Sequence, residues 1–225
     1  MSIKPAPRSG KNTFAVDTVS RTPLQGRSKA SFERMLATAR KLMLERGSEE
    51  FTLQDVSKQG NVSIGSIYLR FESKENLVRA VIADHLGDIA KAEDAMIDTL
   101  RAQSSTLSEF VPRYVEAFAE LLREHAPLLR LSMMRAAFDP LVAEPGRASA
   151  NRAAKLATET MLVFRGEFAG EDNEVRANAA YQIIFATLAR QLSLGSTGES
   201  VHPQDWGSLK VELGRMCLAY LTCNP

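Results

Sequence analysis

Cysteine is scarce: only Cys217 and Cys223 occur, six positions apart. On a helix that spacing points them in different directions, so an intrachain disulfide is not expected and both read as small hydrophobes. No stretch approaches the roughly 18 apolar residues of a membrane span, and no basic-then-apolar leader opens the sequence. His85, His125 and His202 stand apart, and no His/Cys/Asp/Glu group has metal-ligand spacing. The HExxH pair, the glycine-rich loop after a strand and the nucleophile elbow are also missing. Together these absences argue against an enzyme, a metal site, a cofactor and a membrane partner, and a cytoplasmic protein is expected. Strand-like alternation is missing as well, so the expected class is all-α.

What is present is ordinary in amount but uneven in placement. The chain is 44% hydrophobic and 24% charged, enough for one large or two modest cores. Net charge is only +1, which by itself disfavours a nucleic-acid binder. Residues 1–85, however, hold 14 Lys and Arg against 9 Asp and Glu, while residues 86–225 hold 14 against 18. The basic excess lies in the N-terminal part. There, residues 1–27 have Pro5, Pro7 and Pro23 and little periodicity, and read as a disordered basic arm. Its Lys4, Arg8, Lys11, Arg21 and Arg27, with Lys29 just beyond, suit phosphate or minor-groove contacts as well as plain solvation.

The chain is organised around TLQDVSKQGNVSIGSIYLRFESKENL, residues 52–77. Thr52, Ser63 and Ser73 each stand as an N-cap in front of a helical run, and Gly60-Asn61 breaks the first run from the second. Two short helices joined by a tight turn form a helix-turn-helix, whose second helix enters the DNA major groove. In that second helix only Ile67 and Phe71 share a clear inner face. Ser63, Ile64, Gly65, Ser66, Tyr68, Leu69 and Arg70 are left outward. Gly65 in the first turn costs about 1 kcal/mol relative to alanine, a cost more easily understood where a backbone must approach something closely. The competing reading is a small buried helix hairpin with no ligand.

This run resembles the DNA-binding signature of the TetR family of bacterial regulators, roughly T-[VL]-x-x-[IV]-A-x-x-A-G-V-S-x-G-[TS]-[IL]-Y-x-x-F-x-[SN]-K-E-x-L. The similarity covers residues 31–82. Departures include Ser57 where alanine is usual, Asn61 for the turn glycine, and Ile64 at an often polar position. The resemblance implies that Ile64, Gly65, Ser66 and Leu69 face base edges, while Thr52, Ser63, Tyr68, Arg70 and Lys74 meet phosphates. It further implies a homodimer on double-stranded operator DNA, released by a small, mostly apolar ligand. A helical interaction protein with a degenerate, non-binding helix-turn-helix is the alternative from a different class.

Domain limits are expected at 28–75 for DNA binding and 76–225 for ligand binding and dimerisation. Periodicity predicts about nine helices, over 31–46, 53–59, 64–71, 74–100, 107–122, 128–138, 144–168, 172–194 and 205–221, with a loop over 195–203. Phe118, Met133, Met134, Phe138, Met161 and Phe164 are candidate ligand-cavity residues, each equally suited to plain core. The 172–194 helix is apolar nearly all round and must be covered on both sides. Its smaller face, Val175, Ala179, Ile183 and Ala186, with Leu213 and Cys217 of the last helix, is the candidate dimer interface.

Overall fold

The computed structural model describes residues 26–193 and 205–223. In chain order its helices are α1 (Gly26–Arg46), α2 (Leu53–Gly60), α3 (Ile64–Arg70), α4 (Lys74–Gln103), α5 (Leu107–Ala136), α6 (Pro140–Met161), α7 (Asn173–Ser193) and α8 (Trp206–Thr222). A 3-10 segment, Leu162–Glu167, follows α6. Among the described residues there is no strand, and the class is all-α. The expected arm over 1–27 lies outside the described residues as far as 25, as does the expected loop over 195–203 with His202. Two compact units divide the chain between Gly87 and Asp88, inside α4.

In the first unit, α1 buries Met35, Leu36, Ala39, Leu42 and Met43, which share a core with Phe51, Val56, Val62, Ile67 and Phe71. Phe32 stacks on Phe71 at 5.7 Å between ring centroids. A reciprocal cap opens α2: Thr52 Oγ1 accepts from the Asp55 N–H at 3.1 Å, and the Asp55 carboxylate accepts from the Thr52 N–H at 3.0 Å. Asn61 ends α2 at φ 48°, ψ 49°, the left-handed region that asparagine tolerates. Ser57 Oγ donates to the Val62 carbonyl at 2.7 Å, so the serine that replaces alanine ties the turn from inside. Gly60 is demanded by packing: a Cβ there would lie 2.7 Å from Thr38 Oγ1 on α1.

The second unit is built around α5, which buries Phe110, Val111, Tyr114, Val115, Phe118 and Leu122 against α6, α7 and α8. Two separate helices were expected here, broken at Pro127. Instead α5 runs through Pro127 to Ala136. An internal proline removes one backbone bond at a cost of about 3 kcal/mol. Burial of Ala126, Leu128 and Leu131 on either side offsets that loss. Asp139 then caps α6, which starts at Pro140 rather than 144. α6 ends at Met161, where the chain tightens into the 3-10 segment, and Gly170 at φ 78° separates that segment from α7. Eight α-helices therefore replace the expected nine among the described residues. α8 approaches α5 closely at Gly214, where a Cβ would sit 3.4 Å from the Pro112 Cα. Lys210 Nζ bridges the same pair of helices, donating to Glu116 and Glu120 at 2.6 Å each.

Candidate nucleic-acid interface

Ile67 and Phe71, both fully buried, fix the inner side of α3. The rest of the helix is turned outward. Tyr68 is 55% and Leu69 67% exposed, and Thr52, Ser63 and Gly65 are exposed beside them. Ile64, Ser66, Arg70 and Lys74 are half-buried. Ser63 Oγ accepts from the Ser66 N–H at 3.1 Å and lies 2.7 Å from Ser66 Oγ, so the two hydroxyls are held as one group at the start of α3. A Cβ added at Gly65 would meet no atom within 4 Å, so nothing within the fold requires glycine there. At Gly60 the fold supplies the reason; at Gly65 it does not.

Two of the expected phosphate contacts also have structural work. Lys74 Nζ donates to the Glu49 carbonyl at 3.0 Å and sits 5.6 Å from the Phe51 ring centroid, tying the start of α4 to the loop before α2. An ammonium has three donors, and this bond uses one. Thr52 is committed to its cap. The backbone N–H of Thr52, then its side chain and Arg46, hold the Asp55 carboxyl below its usual range, so this cap stays ionised at neutral pH. The face thus offers hydroxyls, a phenol and an ammonium at its rim, with Ile64, the Gly65 backbone and Leu69 between them.

The family model described as "Bacterial regulatory proteins, tetR family" matches residues 35–81. Over those residues the first unit is similar to the tetR family. A curated relative, the HTH-type transcriptional repressor KstR2 of Mycolicibacterium smegmatis, is 26% identical over 108 residues, which is 48% of this chain and 50% of that one. The chain therefore matches about half the length of that relative. Solved structures extend the likeness in fold across both units. Salmonella enterica GusR has a TM-score of 0.59 at 22% identity, over 86% of this chain and 96% of that one. KstR2 of Mycobacterium tuberculosis, described as a ketosteroid transcriptional regulator, has a TM-score of 0.55 at 17% identity, over 90% and 98%. A protein of Saccharomonospora viridis solved in complex with choline has a TM-score of 0.66 at 19% identity, over 87% and 100%.

Beyond residues 35–81, the residues expected to line a ligand cavity divide between surface and core. Met133, Met134 and Phe138 are 46%, 68% and 73% exposed and lie on the surface of the helix end. Continuation of α5 through Pro127 sets their phase, turning Ser132 and Arg135 inward in their place. Met161 is fully buried core, and Phe164 packs on Phe110 at 5.4 Å. Phe118 borders a small, partly open space of ≈ 10 Å³ shared with Glu93, Met96, Tyr114, Leu156 and Ala157 among others. The dimer set also divides. Val175, Ile183 and Ala186 are exposed and Ala179 half-buried, whereas Leu213 and Cys217 face the core of their own unit. Burial pushes the Cys217 thiol up to about 11, as for a plain core cysteine. The large exposed apolar side chains of α8 are Val211, Met216 and Tyr220.

Glu93 was not among the expected site residues. Its signal was nonetheless in the sequence: it lies four residues after Ile89 and four before Ile97, an acid on the buried stripe of α4.

Proposed function

We propose that this chain is a cytoplasmic, homodimeric transcription repressor that leaves a palindromic operator when a small, mostly apolar ligand binds its second unit. The observation that carries this reading is the outward face of α3, where large apolar and aromatic side chains stand exposed around a glycine that the fold does not need. Ile64, Gly65, Ser66 and Leu69 are assigned to base edges, with Ile64 and Leu69 suited to thymine methyls. Thr52, Ser63, Tyr68, Arg70 and Lys74 are assigned to phosphates, which fix register and supply affinity. The second copy is assigned to the exposed faces of α7 and α8, through Val175, Ala179, Ile183, Ala186, Val211 and Met216. α4 starts at Lys74 in the first unit and carries Glu93 and Met96 in the second, so a single helix is common to both and is the assigned route of ligand response.

The deciding experiment is selection of genomic fragments by the purified protein, followed by binding to the recovered sequence across a salt series. A palindromic site with half-sites about 34–36 Å apart, bound with steep salt dependence, is the expected result. Weak binding with no preferred sequence would favour a helical interaction protein whose helix-turn-helix does not read DNA.

A further inference from the structure

A carboxylate on an apolar helix stripe has to be explained, because a buried charge is costly unless it is fully answered. Glu93 is 5% exposed. One of its oxygens is answered by Arg152, whose Nη1 donates to Oε2 at 2.9 Å. Arg152 is itself 31% exposed and divides its guanidinium, Nη2 going to Asp94 Oδ2 at 2.6 Å and to the Ala90 carbonyl at 3.0 Å. It is not among the residues that wall the cavity; Glu93 is. The other walls are apolar or aromatic. Tyr114 and Phe118 stack at 5.4 Å, and Tyr181 lies 6.1 Å from Phe118.

At ≈ 10 Å³ the space holds about one water and no ligand. Its wall at Met96, however, is shared with a surface groove of ≈ 530 Å³ between α4 and α5, lined also by Ala92, Ala117, Leu121, Glu120, Glu124 and Arg123, the last ion-paired with Glu120. One unbranched side chain with three rotatable bonds therefore stands between an open groove and a buried carboxylate flanked by aromatic rings.

We propose that this is a binding site for an organic cation, whose apolar body lies in the α4–α5 groove and whose charged head passes Met96 to meet Glu93 beside Tyr114 and Phe118. Its role as the controlling ligand rests on the repressor reading given above. A cation here gains both the carboxylate and the negative faces of the rings. A neutral molecule of the same shape gains only apolar contact, and an anion meets the carboxylate as a like charge.

The test titrates full-length protein, without DNA, with benzyltrimethylammonium, with 2-methyl-1-phenylpropan-2-ol as a neutral molecule of nearly the same shape, and with phenylacetate. Wild type is expected to bind the cation about tenfold or more tightly than the alcohol, a modest demand on a desolvated cation site. Glu93→Gln should lose that preference while keeping its affinity for the alcohol. Met96→Trp, which leaves Glu93 in place and fills the passage, should weaken the cation by a similar factor. Equal affinities, tightest binding of phenylacetate, or no binding of the cation at millimolar concentration would each overturn the proposal. Operator release is scored separately with the same cation. Binding that depends on Glu93 without release leaves the site standing and removes the ligand-responsive reading. Release that is unchanged in Glu93→Gln keeps that reading and removes the site.

Discussion

Glu93→Gln is also expected to make the protein more stable, and by an amount that depends on pH. Burial, opposed by the charge and hydrogen bond of Arg152 and reinforced by the charge of Asp94, raises the Glu93 carboxyl from 4.5 to about 7. The phenols of Tyr114 and Tyr181 complete the titratable surroundings, and both are pushed up, mainly by burial. Below about pH 4.5 the carboxyl is protonated in folded and unfolded chains alike and contributes no difference. Between about 4.5 and 7 the unfolded chain releases the proton and the folded chain holds it, so the fold loses stability as pH rises. Above about 7 the loss is complete, and the gap between the two values corresponds to about 3 kcal/mol.

Glutamine has nearly the same shape and no charge, so it removes that penalty. Its one loss is the charge-assisted bond to Arg152, which keeps Asp94 and the Ala90 carbonyl. At pH 8 the variant should therefore exceed wild type by up to about 3 kcal/mol, or about 6–12 °C in melting temperature for a chain of this size. At pH 5 the difference should shrink to about 1 kcal/mol or less. Thermal unfolding at the two pH values is sufficient. A variant less stable than wild type at pH 8, or an offset that does not change with pH, would show that Arg152 holds Glu93 ionised throughout and that the burial argument is wrong.

Other expectations follow from the same geometry. Because only ionised Glu93 attracts a cation, affinity for benzyltrimethylammonium should rise about tenfold from pH 6 to pH 8, read by calorimetry, while the neutral alcohol stays level. Gly60→Ala should destabilise the first unit by about 1–3 kcal/mol through the clash with Thr38 Oγ1, and adding Thr38→Ala should restore most of it in urea unfolding. Tyr68→Phe should weaken binding to all DNA sequences alike, whereas Ile64→Ala should change preference at one operator position by about 1 kcal/mol, compared in a binding-site selection. Ala186→Glu, on the exposed face of α7, should give a monomer by light scattering that no longer holds the operator; a monomeric wild type would refute the dimer assignment.

The first unit was legible because its signals are local. Thr52 and Ser63 announce two helices, and Ile67 and Phe71 keep the outward set in phase however the rest of the chain packs. Even there the close approach of α1 to α2 at Gly60 was hidden, since the Thr38 contact joins residues that no short window covers. The second unit was legible in class but not in phase. Pro127 is a strong local stop, and reading it so turned Met133, Met134 and Phe138 toward a cavity when tertiary burial on both sides of the proline carries α5 past it. The last helix failed in a related way. Leu213 and Cys217 share the helical spacing of Met216 and Tyr220 closely enough that periodicity cannot say which stripe faces the chain's own core. That choice is made by Gly214 against Pro112 and by Lys210 against Glu116 and Glu120, all long-range contacts.

Glu93 shows the opposite relation between pattern and chemistry. Methionines and phenylalanines at helical spacing agree with a plain core, so they carry little information about a ligand. An acid on the same stripe disagrees with the core around it. The disagreement costs the fold stability at neutral pH, and the half-buried Arg152 relieves only part of it. A fold keeps such a cost when some bound state recovers it, and the state that recovers most is one that brings positive charge to the carboxylate. The stability of Glu93→Gln and its loss of cation preference are therefore two readings of one quantity. If the glutamine variant gains nothing at pH 8, there is little for a cation to recover, and both arguments fail together.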